Sequence, residues 1–342
     1  MRKTHILLLA FGLAFLLFLV LRTGPRQLWQ QFTLLGWGLI PIVIAEGVAE
    51  LFHAISWRYC FSGAHRRISL ARLFQIHIAG YAVNFLTPTA SVAGEVTKAA
   101  LLAGNRRGPE AVSAVVIGKL SFGLAHLLFV AVASIVFLPV MRFPPALRTA
   151  LVLGSATLAG GTVVFLLLQK HGKLGVFVRW LIARNILAKT LRGIVPTIDR
   201  VDKALKTFYR ERPWDLARSV FWHLLGYVVG VFATWYFLFL LREDRGLIVA
   251  AQIWCLVLWF DLVTFAVPLN LGVLEGGRLV AFRVFGFGAL PGMTFGMVSR
   301  VAQLFWAGFG LVNYALLIPR TRPRTRPSHA PPEFSEQQPI EA

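Results

Sequence analysis

Charge is what this sequence has little of. Only 15% of its 342 residues are Asp, Glu, Lys or Arg, against about a quarter in an average soluble chain. So few charged side chains cannot cover a water-facing surface of this size, and a soluble enzyme is excluded. Acids are scarcer still, with 15 Asp+Glu against 35 Lys+Arg and a formal charge of +20. Cysteine is nearly absent: Cys60 and Cys255 stand alone, with no CxxC or zinc-like Cys/His spacing, which argues against a disulfide framework and a zinc site. Catalytic signatures are missing as well. There is no GxSxG, Walker loop, HExxH or dinucleotide fingerprint in its proper context. What the chain does have is 57% hydrophobic residues. High hydrophobicity with a basic excess fits a polytopic membrane protein whose basic loops share one face. Nucleic-acid binding needs a soluble basic surface, which this composition lacks.

A hydrocarbon core about 30 Å thick takes about 20 apolar residues per helix. His5–Leu21 reads as a retained first span, because Arg22-Thr23-Gly24-Pro25-Arg26 follows it in place of a cleavage site. Further spans are expected at Phe32–Trp57, Ala111–Val140, Leu147–Leu168, Leu216–Leu241, Leu247–Val267 and Thr294–Ile318. Two apolar stretches are interrupted. Ser69–Ala103 is broken at Thr87-Pro88 and carries Glu95 and Lys98; Leu247–Phe287 is broken at Pro268 and carries Asp261, Glu275 and Arg278. Proline removes a helical hydrogen bond and clashes with the preceding turn. Broken helices at membrane depth are tolerated only where protein or a water-filled cavity receives the freed groups.

Basic residues set the orientation. Twelve lie in Lys170–Arg218, and Arg320, Arg322, Arg324 and Arg326 follow the last span. Placing both on the cytoplasmic side puts 24 basic residues inside, 6 outside and 5 within the membrane. Both termini are then cytoplasmic, and the two broken segments enter from opposite sides, as re-entrant hairpins or as full pairs. Between Leu187 and Phe208, Leu191, Ile194, Ile198, Val201 and Leu205 recur at helical spacing with Lys and Arg between them. This predicts an amphipathic helix within a cytoplasmic loop at 170–215, lying on anionic lipid or packing as a helical hairpin. The tail at 319–342 is polar and basic and is expected to be disordered.

The two breaks align. Pro88 is followed by Glu95 at +7 and Lys98 at +10; Pro268 by Glu275 at +7 and Arg278 at +10; Asn84 and Thr264 stand at −4. Paired interruptions in the two halves of a membrane protein are the sequence sign of an inverted repeat. The expected fold is therefore an all-α polytopic membrane protein, 1–318, with an inverted repeat and two proline-broken half-helix pairs. Each new half-helix turns its positive dipole end toward the midplane, where an anionic group can sit. Glu and Lys/Arg three apart lie on one helix face and can neutralise each other. An uncompensated charge there costs about 2.5–3.5 kcal/mol on insertion scales. Inside the membrane, Glu46, Glu50, Glu95, Asp261 and Glu275 balance Lys98, Lys119, Arg278, Arg283 and Arg300, which suggests a paired network. Glu46, Glu50 and His53 share a face of one span. Glu50-x-x-His53 has the form of a di-iron half-motif, but its second copy is lacking. A polar stripe is the better reading, and no metal or cofactor is expected. His77, His126 and His223 read as packing residues or, less simply, as proton carriers.

At these breaks the chain resembles the transmembrane region of lysylphosphatidylglycerol synthases. Val83-Asn84-Phe85-Leu86-Thr87-Pro88-Thr89-Ala90-Ser91-Val92-Ala93-Gly94-Glu95 looks like its first-half motif. Val267-Pro268-Leu269-Asn270-Leu271-Gly272-Val273-Leu274-Glu275-Gly276-Gly277 looks like its second-half motif, and Arg300 matches a basic position of the last span. The wording is similar to that of stand-alone members associated with hopanoid biosynthesis. Lys119 departs from the pattern, standing where the family leads one to expect an acid.

The resemblance implies a flippase-type domain of a bacterial inner membrane, without the aminoacyl-transferase domain and hence not an enzyme. The implied cargo is a phospholipid, an aminoacylated lipid or a hopanoid. Asn84, Glu95, Lys98, Thr264, Glu275, Arg278 and Arg300 are the candidate lipid-binding residues. The other readings are a membrane scaffold for a lipid-biosynthesis enzyme and a small-solute secondary transporter; no nucleic-acid partner is expected.

Overall fold

A computed structural model describes residues 17, 18, 21, 24–61, 68–87, 92–103, 108–140, 145–184, 195–243, 245–264 and 272–317. The expected first span, apart from residues 17, 18 and 21, and the tail lie outside the described residues. Every described element is helical. In chain order these are α1 (Pro25–Leu35), joined by a 3-10 turn at Gly36–Leu39 to α2 (Ile40–Arg58), then α3 (Leu70–Leu86), α4 (Val92–Ala103), α5 (Gly108–Phe137) and α6 (Pro145–Lys170). There follow α7 (Leu174–Ala183), α8 (Val195–Glu211), α9 (Pro213–Leu240), α10 (Gly246–Thr264), α11 (Val273–Val284) and α12 (Ala289–Leu317).

Four helices are long and apolar enough to cross a membrane, Pro25–Arg58, Ala111–Phe137, Pro213–Leu240 and Ala289–Leu317, with shorter apolar helices at Arg148–Val164 and Gly246–Leu262. Their outer faces leave Val132, Ile135, Phe239, Leu304, Phe305 and Leu316 exposed. Such a surface suits hydrocarbon, where only helices and closed barrels satisfy the backbone. The chain is an all-α multi-pass membrane protein.

Both expected interruptions occur. α3 stops at Leu86 and α4 starts at Val92; α10 stops at Thr264 and α11 starts at Val273. Pro88 and Pro268 themselves lie outside the described residues. Gly272, at φ 72°, turns the chain into α11 in a conformation that favours glycine. At 12 residues each, α4 and α11 are about 18 Å long, well short of a bilayer's hydrocarbon core.

The packing follows the repeat. α2 and α9, the first helices of the two halves, pack against each other; α3 packs on α12 and α10 on α5; α2 also packs on α12 and α9 on α5. Along the α2–α9 seam, Gly38 meets Leu240, His53 meets His223 and Ser56 meets Ser219. Numbers rise on one helix as they fall on the other, so the two run antiparallel, as inversion requires. Four tryptophans rest on glycines of neighbouring helices: Trp57 on Gly118, Trp254 on Gly230, Trp259 on Gly154 and Trp306 on Gly47. The Trp57 indole N–H donates to the Ala114 carbonyl (3.1 Å) and that of Trp306 to the Val43 carbonyl (2.7 Å). Small residues that admit such close approach are the usual adhesive of helices in lipid.

The expected amphipathic helix is α8, of which the part before Val195 lies outside the described residues. Part of its apolar side meets protein. Leu205 and Phe208 are buried with Trp57, Phe61, Leu73 and Ile76 at one end of the bundle, while Lys203, Lys206 and Arg210 are exposed. Asp202 accepts from the Gly175 amide of α7 at 2.6 Å, which ties α7 and α8 into a hairpin.

Candidate site: two charged half-helices

In the first half, α3 and α4 approach through two glycines. A Cβ on Gly94 would stand 2.1 Å from the Gly80 carbonyl oxygen, so only glycine fits there. Asn84 reaches across from the end of α3, and its Oδ1 accepts from the Gly94 amide at 2.6 Å. It thereby satisfies one of the amides that a helix start leaves without a partner. Asn84 thus caps α4 through its Oδ1. One turn on, Lys98 Nζ donates to Glu95 Oε1 at 3.2 Å, the pairing expected from their spacing, and Lys119 of α5 lies 3.8 Å from the same oxygen. The Lys98 ammonium also stands 5.7 Å from the Trp57 ring centre, a cation–π distance.

In the second half the expected pair does not form. Glu275 and Arg278 each find a partner on another helix. Arg300 Nε of α12 donates to Glu275 Oε1 at 3.0 Å. Arg278 Nη1 lies 3.6 Å from Asp261 Oδ1 of α10 and donates to the Leu274 carbonyl at 3.2 Å. Residues three apart share a face only broadly, and here tertiary neighbours outcompete the local partner. Glu275 is 1% exposed and Arg278 3%. Glu275 Oε2 and Arg278 Nε are buried with no hydrogen-bond partner, an arrangement that is costly unless something else meets them. Arg300 also lies 5.7 Å from the Phe85 ring, beside Asn84, and so brings the second half-site to the end of the first hairpin. Thr264 is the last residue of α10; its side chain lies outside those described.

One correction to the charge balance follows. Arg283 is exposed and joins no ion pair among the described residues, so four bases, not five, pair with the interior acids, and they pair with three of them: Glu95, Asp261 and Glu275. The polar stripe of α2, open to Lys119, Arg300 or the hairpins, takes the first hairpin, through α3, and adds α9. Its Glu46 accepts from the Tyr81 hydroxyl at 3.3 Å, Glu50 meets His77 Nε2 at 2.7 Å, and His53 Nδ1 meets His223 Nδ1 at 2.9 Å. No group of three His, Cys, Asp or Glu side chains converges among the described residues in a way that would hold a metal ion.

The sequence reading passed over one relation. Lys119 follows the start of α5 by the same eleven residues as Arg300 follows the start of α12. Each faces the glutamate of the half-helix before it. The repeat therefore extends to a third charged position; Lys119 and Arg300 follow Pro88 and Pro268 by 31 and 32 residues, so the proline register alone is off by one and only the helix starts align them. Asp261 was counted among the buried acids but not as a site residue, because its partner is set by tertiary packing.

A protein-family model described as Lysylphosphatidylglycerol synthase TM region matches residues 6–310. No curated protein and no solved structure matches the chain.

Proposed function

Because the chain belongs to the family of the lysylphosphatidylglycerol synthase transmembrane region, we propose that it moves a polar lipid between the leaflets of a bacterial cytoplasmic membrane, with both termini on the cytoplasmic side. The matched family is a membrane region, and the reading is transport rather than aminoacyl transfer. One observation carries it. Two half-helices, each with a carboxylate and bases, lie within a bundle whose outer faces are apolar, and Arg300 of the second half-site stands 5.7 Å from the Phe85 ring at the end of the first hairpin. Charges kept at that depth against their insertion cost argue for a task.

In this reading Arg278, with an unpartnered buried Nε, and Lys98 hold a phosphate or another anionic part of the headgroup. Glu95, Glu275 and Arg300 keep the bases neutralised when the site is empty, and Glu275 Oε2 accepts from a headgroup hydroxyl or amine. The candidate cargoes are a phospholipid, an aminoacylated lipid or a hopanoid with a polar head.

The experiment uses purified protein in liposomes with a fluorescent phospholipid whose outer-leaflet fraction is quenched. Wild type should exchange lipid between leaflets. Glu95→Gln with Lys98→Gln removes both members of the buried pair and takes the carboxylate only from Lys119, whose side chain is 43% exposed, so it should keep folding stability. It should lose lipid exchange. Wild-type exchange by that double variant would remove the first half-site from consideration. Solute uptake without lipid exchange would favour a solute transporter instead. Orientation is tested separately: single cysteines at Gly172 and Ser328, in a background without Cys60 and Cys255, should label only from the cytoplasm.

A further inference from the structure

The two half-sites leave one set of interior titratable groups unused. On α2, Glu46, Glu50 and His53 follow at spacings of four and three, one above another on a single face. Each is hydrogen-bonded to a titratable side chain of a neighbouring helix, as described above: Glu46 to Tyr81, Glu50 to His77, His53 to His223. Three rungs are formed this way, and all six groups can take up or give up a proton. Two neutral imidazoles 2.9 Å apart through Nδ1 need one donor and one acceptor, so that contact holds a single proton between two nitrogens that can exchange roles.

The ion pairs make the carboxylates of this ladder distinct from the other acids. Glu95 has Lys98 and Lys119, Asp261 has Arg278, and Glu275 has Arg300. Among the described residues, Glu46 and Glu50 have no Lys or Arg within ion-pair distance, and the groups they touch are a phenol and an imidazole. A carboxylate without a fixed cation in a membrane interior is neutralised most cheaply by a proton. A purely structural polar seam needs no titratable groups. Ser56 and Ser219, one turn beyond His53, make such a seam through hydroxyls alone, with Oγ atoms 2.9 Å apart.

The ladder also touches both half-sites electrostatically. His53, Lys98, Lys119 and Glu95 act on Glu50; Glu50, His77, Lys98 and His126 act on His53. Glu50, Arg278 and Asp261 act on Glu46, and Arg300 acts on its partner Tyr81. A charge gained or lost on a rung is therefore felt by the bases proposed to hold the headgroup.

We propose that the Glu46–Glu50–His53 face of α2, with Tyr81, His77 and His223, is a path for protons and that lipid movement is coupled to proton movement along it. Each step transfers one proton from an O–H or N–H of one rung to a carboxylate oxygen or imidazole nitrogen of the next; no bond other than to hydrogen changes. Side chains one turn apart stand about 5–6 Å from each other at Cβ, within reach of a rotamer change or a bridging water. The coupling rests on the lipid-transport reading, whereas proton passage does not.

The test uses the full chain in liposomes loaded with a pH-sensitive dye and carrying the fluorescent phospholipid. Wild-type vesicles should take up protons faster than empty ones when acidified outside, and the imposed gradient should change the rate of lipid exchange. Glu50→Gln, outside the proposed headgroup site, should reduce proton entry to that of empty vesicles and abolish the response to the gradient. Its lipid exchange without a gradient should persist, and Glu50→Asp should restore the response. Proton entry into wild-type vesicles no faster than into empty ones, with lipid exchange indifferent to the gradient, overturns the proposal. That outcome stands even where Glu50→Gln does not fold. Proton entry that is sensitive to Glu50→Gln, in vesicles that exchange no lipid, would leave the proton path in place and defeat the lipid reading instead.

Discussion

The half-helices α4 and α11 have the same length and follow the same kind of break, yet they are fastened to different neighbours. α4 is pressed onto the helix before it. Gly94 sits against Gly80 of α3, Asn84 caps it, and its glutamate is met first by a lysine of its own helix. α11 is pressed onto the helix after it. Gly292 and Gly296 of α12 admit it so closely that a Cβ on Gly292 would stand 2.7 Å from the Leu279 Cα, and its glutamate is met by Arg300 of the same α12. One half-helix is the second arm of a hairpin and the other is the first arm of one. The first half-site is accordingly closed on itself, and the second keeps buried polar atoms without partners. One sequence motif can thus serve two mechanical roles when the glycines that choose its neighbour fall in different helices.

The largest test of this difference is the loss of each glutamate. Glu275→Gln takes the buried carboxylate away from Arg300, and breaking a buried pair in this way costs about 3–5 kcal/mol. Glu95→Gln leaves the buried Lys98 without its carboxylate and should cost less, about 1–3 kcal/mol, because Lys98 keeps the Trp57 ring and the Lys119 side chain is 43% exposed. Denaturation in detergent micelles measures both, and equal losses would erase the asymmetry. Next comes a pair of glycines. Gly94→Ala drives a methyl into the backbone of α3 and should cost about 1–3 kcal/mol. Gly277→Ala first meets Phe260 Cβ at 3.1 Å and should cost under about 1 kcal/mol, since one side chain has only to yield slightly. Melting temperatures of the two variants sharpen the claim that α4, and not α11, is locked to its hairpin partner. The smallest effect is expected away from both half-sites. Lys203→Glu with Lys206→Glu, on the exposed side of α8, should weaken contact with anionic vesicles by about 1 kcal/mol per basic residue removed, without altering lipid exchange through the bundle. Unchanged vesicle contact would mean that α8 serves only to close the end of the bundle.

Local features were readable in advance and long-range ones were not. The interruptions near Pro88 and Pro268 follow from proline chemistry, and the Glu95–Lys98 pair from its spacing. The same spacing misled at Glu275 and Arg278, because the rotation of α11 about its axis is set by the glycines of α12, which no local pattern reveals. Arg283 was recoverable. It lies five residues beyond Arg278, about 140° around a helix of 3.6 residues per turn, and so turns away from the interior. For α8, the periodicity gave the apolar face but could not say whether lipid or protein would cover it. The three partners of α2 were each visible as polar residues on apolar spans, but their register against α2 depends on how three helices cross.

The tryptophans seated on glycines restrict how these helices can shift against one another. An indole lodged over a residue without a side chain is flanked along the helix by residues that have one, so sliding by a single residue drives the ring into a neighbour. Tilting about the seat meets no such obstacle. With Trp57, Trp254, Trp259 and Trp306 placed on four different seams, piston-like displacement is blocked while pivoting remains open. Helices in this bundle are therefore free to rock around aromatic fulcra but not to slide past one another.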